Sequence, residues 1–114
     1  MKIRSVYQEQ TDSEPPGKDD LVNRILLTEH DWLSFKDDFE KLHPGFFGRL
    51  KTFAPGVTPA EARLTALMRL NLGNKEMAVM QGISDGAVRV TKSRLRARLH
   101  LSERDDLEGF IQNL

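Results

Sequence analysis

The chain has no cysteine. A disulfide framework, a thiol nucleophile and a Cys-based zinc site are thereby excluded. It has no apolar run approaching the ~18 residues of a membrane span, and its N-terminus lacks the apolar core of a signal peptide. A cytoplasmic location is expected on that basis. Its three histidines, His30, His43 and His100, are scattered, and no carboxylate pair or nucleophile–base constellation recurs with catalytic spacing. A non-enzymatic protein that needs no metal or cofactor is expected. Strong strand patterns and internal repeats are also missing. The expected fold is therefore all-α, a small helical bundle, and 114 residues allow one domain with at most a loose tail.

Net charge is zero, because 17 Lys and Arg balance 17 Asp and Glu, but the charges are unevenly placed. Residues 84–100 carry five Lys/Arg against one acid, and residues 101–114 carry one against four. Arg89, Lys92, Arg94, Arg96 and Arg98 fall within ten residues with no acid among them. A local electrostatic task is implied that the total charge conceals.

Residues 1–20 are polar, contain Pro15-Pro16-Gly17, and read as a flexible arm or linker, with "KIRSVY" as a candidate short strand. Residues 21–56 read as an N-terminal helical extension. "LVNRILL" is a candidate short helix. Thr28, with Asp31 at N3, predicts a capped helix whose Trp32, Phe35, Phe39 and Leu42 form an apolar stripe. Pro44 fits the first turn of a following helix that carries Phe46, Phe47, Leu50 and Phe53. Trp32, Phe35, Phe39, Phe46 and Phe47 are expected to be core, with a docking surface as the alternative. Residues 57–114 read as a four-helix unit. Thr58, Pro59 and Glu61 make a capping box with proline at N1. Asn71 is suited to closing that helix, Asn74 to capping the next, and Gly82 to ending it in the left-handed conformation. Ser84 caps the basic helix. Ser102, with Asp105 at N3, predicts the cap of a final helix bearing Leu107, Phe110, Ile111 and Leu114.

Within residues 74–100, two helices joined at Gly82-Ile83-Ser84 match a helix-turn-helix, in which the second helix can enter the DNA major groove. Ala78 is small where the helices cross, and Ile83 and Val88 are expected to fill the space between them. Advancing ~100° per residue from Val88 puts Val88, Leu95 and Leu99 within about 20° of one direction, the buried seam. The opposite face carries Gly86, Val90, Ser93 and Ala97, flanked by Arg89, Arg96 and Arg94. A ridge of small residues lined by arginines suits a helix lying close to base edges and phosphates. Arg89 is the first choice for a bidentate guanine contact. Val90, which suits a thymine methyl, and Ser93 are further base-contact candidates. Lys92, Arg94 and Arg96 are expected at phosphates, joined by Lys75 and the hydroxyl of Ser84 at the DNA backbone.

The run "VTPAEARLTALMRLNLGNKEMAVMQGISDGAVRVTKSRLRARLHL" resembles the LuxR/GerE-type DNA-binding domain of bacterial transcriptional regulators. The resemblance rests on Val57, Thr58 and Glu61, then Asn74 to Ala78, then Gly82, Ile83 and Ser84, then Val88 and Arg89. Thr91, Gln81, Asn71 and Gly73 depart from the usual residues of that pattern. The segment "DWLSFKDDFEKLHPGFFGRL" is similar to stretches that precede this domain in some multi-domain regulators of Bacteroidetes. The resemblance implies sequence-specific binding of double-stranded DNA, with the helix of residues 84–100 in the major groove. It also implies a final helix at residues 103–113 that commonly forms a two-fold dimer on DNA, so Leu107, Phe110, Ile111 and Leu114 become candidates for a homodimer interface. RNA polymerase, or a sensor domain lying upstream of this chain, is an expected further partner. Two alternatives stand beside this reading. One is a module like sigma-factor region 4, binding promoter and polymerase. The other is a helical protein-interaction module without DNA contact.

Overall fold

The computed structural model describes residues 17–114, which form seven helices and no strand. The expected arm over residues 1–16, with its candidate strand, lies outside the described residues. Helix α1 (Lys18–Val22) begins inside the expected arm, and "LVNRILL" is split. Its first residues close α1, while Ile25 to Leu27 form a non-helical strap. The backbone N–H of Leu26 donates to the Met80 carbonyl at 2.7 Å, so the strap is tied to a partner 54 positions away instead of to its own helix. No helix among the described residues is long and apolar enough to cross a membrane.

Helix α2 (Glu29–Leu42) starts where Thr28 and Asp31 satisfy each other's backbone N–H groups at 3.0 and 3.1 Å. Helix α3 (Phe46–Phe53) starts later than proline would suggest, since Gly45 at φ 79° makes the bend and Pro44 precedes it. The aromatic stripe is core, as expected. Phe35 and Phe39 are fully buried and stack at 5.9 Å, and Phe46 meets Phe39 edge-on at 5.2 Å. One continuous set of buried side chains runs from Leu21 through these rings to Leu64, Leu67, Met77, Val88, Leu95, Leu107 and Ile111. The extension and the four later helices therefore share a core.

Helix α4 (Pro59–Arg69) has the expected capping box and N1 proline. Helices α4, α5 (Asn74–Gln81) and α6 (Asp85–Arg98) all stop in the same way. In each, a residue of positive φ (Asn71 at 66°, Gly82 at 65°, His100 at 60°) turns the chain, and the next N–H reaches back to a carbonyl five residues earlier. The N-cap of α5 is Gly73, not Asn74. The Glu76 carboxylate at N3 accepts from the Gly73 N–H at 2.7 Å, which moves the cap one residue earlier. Helix α7 (Leu107–Gln112) also begins later than expected. Ser102 and Asp105 do bond at 2.7 Å, but they close only a turn, and Asp106 caps the helix. Arg96 Nη1 holds the carbonyls of Ser102 and Asp105 at 3.1 and 2.7 Å, groups that a helix from residue 103 would use internally.

Two expected outcomes follow from this frame. A Cβ on Gly82 would lie 2.6 Å from Leu27 Cδ2, and the positive φ adds strain. Leu27 is 64% exposed and can swing away, so Gly82→Ala should cost about 1–2 kcal/mol, mostly from the backbone. In a urea-denaturation cycle, Leu27→Ala should recover only the smaller steric share. The second outcome concerns pH. Burial, and then the positive charges of Arg69 and Arg49, hold the His43 imidazole below its usual 6.5. Between that lowered pKa and about 6.5 the unfolded chain binds the proton and the folded chain does not. Stability should therefore fall as pH drops below 6.5, and His43→Gln should flatten that slope in denaturation measured from pH 8 to 5.

Candidate nucleic-acid interface

Helix α6 is placed by its seam. Val88, Leu95 and Leu99 are buried in the shared core, as is Ala78, and α6 packs against α4 and α5. Ile83, expected between the helices, is instead 40% exposed, because the turn carries it out to the surface beside the strap. The Ser84 hydroxyl accepts from the Ala87 N–H at 3.0 Å, so its oxygen is engaged as the helix cap. Thr91 returns its hydroxyl to the Ala87 carbonyl at 2.9 Å. Gln81 uses its amide in the same inward way, donating to the Met77 carbonyl at 3.2 Å, while Met80 supplies the buried side chain.

The face opposite the seam is open. Gly86, Val90, Ser93 and Ala97 are all exposed, and so are Arg89 and Arg94 at its two borders. Among the described residues neither arginine forms an ion pair. Lys75, near the start of α5, is exposed as well. The other cations of α6 have partners. Lys92 Nζ lies 2.8 Å from Glu108 of α7, with its side chain only 17% exposed. Hydrogen bonding from Lys92 pulls the Glu108 carboxyl below its usual range. Arg96 organises the loop before α7, as described above. Arg98 Nε lies 3.0 Å from Glu61, whose side chain is almost fully buried at the N-terminus of α4. The phosphate role expected of Lys92 and Arg96 thus competes with intramolecular bonds that hold α7 against α6. Arg89, Val90, Ser93 and Arg94 form one uncommitted surface.

Sequence reasoning missed the Glu61–Arg98 pair. Glu61 was legible as the N3 residue of a capping box, and its oxygen does accept from the Thr58 N–H at 3.1 Å. That the same oxygen also meets a cation 37 positions later depends on how α4 and α6 cross.

The four candidate dimer residues divide. Leu107 and Ile111 are fully buried in the chain's own core and are withdrawn from any interface, because α7 is so short that both must face α4 to hold it down. Phe110 and Leu114 remain partly accessible. The Phe110 ring meets Phe53 edge-on at 5.5 Å, and the Leu114 carbonyl accepts from Arg49 Nε at 2.7 Å. Among the described residues no group of three or more His, Asp or Glu side chains is placed to hold a metal ion. Compared with protein-family models, with curated proteins and with solved structures, the chain matches none of them.

Proposed function

We propose that the chain binds double-stranded DNA in the manner of a LuxR/GerE-type transcriptional regulator, with α5 and α6 as the helix-turn-helix and α6 in the major groove. The supporting observation is the strip of small exposed side chains on α6, bordered by Arg89 and Arg94, the two α6 cations whose side chains form neither an ion pair nor a hydrogen bond among the described residues. A helix whose outer face carries Gly, Ser and Ala brings its backbone close to the floor of a groove ≈ 12 Å wide, and its border arginines then reach base edges and phosphates. Arg89 takes the base contact and Arg94 a phosphate, with Val90 and Ser93 between them and Lys75 at the backbone. With so few free cations a single copy binds modestly, so tight and specific binding calls for a dimer, for which Phe110 and Leu114 remain accessible.

The test is fluorescence anisotropy of a random-sequence duplex titrated with the chain at several salt concentrations. Binding that weakens steeply with salt supports the reading and opens operator selection. An absence of binding at low salt and high protein concentration rejects it and leaves a protein-interaction module.

A further inference from the structure

A cleft of about 330 Å³ lies where the strap, α2, α4 and the start of α6 meet. Its size is at the lower end for small-molecule sites, and its lining is mainly apolar with few polar groups, as such sites require. Leu27 and Ile83 line it and remain 64% and 40% exposed, so apolar surface there is left for something else to cover. Arg63 is its one charged lining residue. The guanidinium carbon sits over the Trp32 ring, 5.2 Å from its centroid, a cation–π contact at the cleft wall. Glu29 reaches only Nη2, at 2.5 Å, and Arg63 Nε is buried without a hydrogen-bond partner. The Nε–Nη2 edge, which suits a carboxylate bidentately, is therefore half satisfied.

We propose that this cleft binds a small apolar carboxylate, whose two oxygens take the Nε–Nη2 edge of Arg63 while its apolar body covers Leu27 and Ile83. Glu29 is the group displaced. Its side chain is 67% exposed, and an ion pair with so exposed a partner holds it weakly. The bound molecule spans the strap and the first turns of α6, since Ala87 and Thr91 also line the cleft. It bridges the N-terminal extension and the basic helix, and none of Arg89, Val90, Ser93 and Arg94 lines the cleft.

The experiment is a titration of the 15N-labelled chain with 4-phenylbutyrate, and with the neutral 4-phenylbutanol, followed by 1H–15N spectra. Trp32, the single tryptophan, supplies an indole N–H reporter at the wall. Saturable shifts at the Trp32 indole and at the amides of Leu27, Ile83 and Ala87 are expected with the carboxylate, with the alcohol at least fivefold weaker. Arg63→Met should remove that preference. Glu29→Gln, which lies on the surface and spares the core, should tighten carboxylate binding several-fold. Equal affinity for acid and alcohol, weaker binding in Glu29→Gln, or no saturable shift at millimolar ligand overturns the proposal. Binding is read without DNA, so a negative result leaves the DNA-reading proposal standing.

Discussion

Replacing Arg89 and Arg94 together with alanine is expected to abolish measurable DNA binding at physiological salt while leaving thermal stability unchanged. Both side chains are exposed and make no ion pair among the described residues, so their removal costs the fold little. On DNA they act differently. Loss of Arg94 as a phosphate contact should make the slope of log affinity against log salt shallower by ~0.9. Loss of Arg89 as a bidentate base contact should cost about 1–3 kcal/mol at a selected operator, with a smaller effect on random duplex. Lys92→Met is the internal control. That residue is held by Glu108, so its loss should loosen α7 and lower the melting temperature, with less effect on the salt slope. If the two substitutions changed the slope equally, the division between free and committed cations would be wrong.

Phe39→Ala is expected to be the most destabilising single change, at about 3–5 kcal/mol. Its ring is fully buried and lies within 6 Å of the rings of Phe35, His43, Phe46 and Phe47, so alanine would leave a cavity that rigid aromatic neighbours cannot close. A chain of this size has roughly 5–15 kcal/mol in total, so the loss is a large share of it. Because the buried set is continuous from Leu21 to Ile111, urea denaturation followed by Trp32 fluorescence and by helical circular dichroism should show one coincident transition, shifted as a whole. Two transitions, with the one from α4 to α7 unmoved, would mean that the extension folds separately. Phe53→Ala makes the contrast. Phe53 is more than half exposed and touches Phe110 by an edge, so its loss should cost under about 1 kcal/mol.

Much of this protein was legible in one dimension. The caps at Thr28, Thr58 and Ser84, the stops at Asn71 and Gly82, and the seam of Val88, Leu95 and Leu99 were all read correctly from the sequence. Each is a local matter, settled by hydrogen-bonding reach over three or four residues or by the helical period. The failures were local rules overruled from a distance. "LVNRILL" has helical composition, but the Met80 carbonyl claims the Leu26 N–H and draws the segment out as a strap. Ser102 has the right partner for a cap, but Arg96 takes the carbonyls that would have continued the helix. The largest revision concerns charge. By itself the sequence determined that five cations share one helix and that the helix has an outer face of small residues. Only the tertiary structure decided which cations stay free, because Glu61 and Glu108 are brought to Arg98 and Lys92 by the packing of α4 and α7 against α6. A charge can be counted along a chain, but whether it is paired depends on distances across the fold, because a salt bridge needs its two groups within about 4 Å.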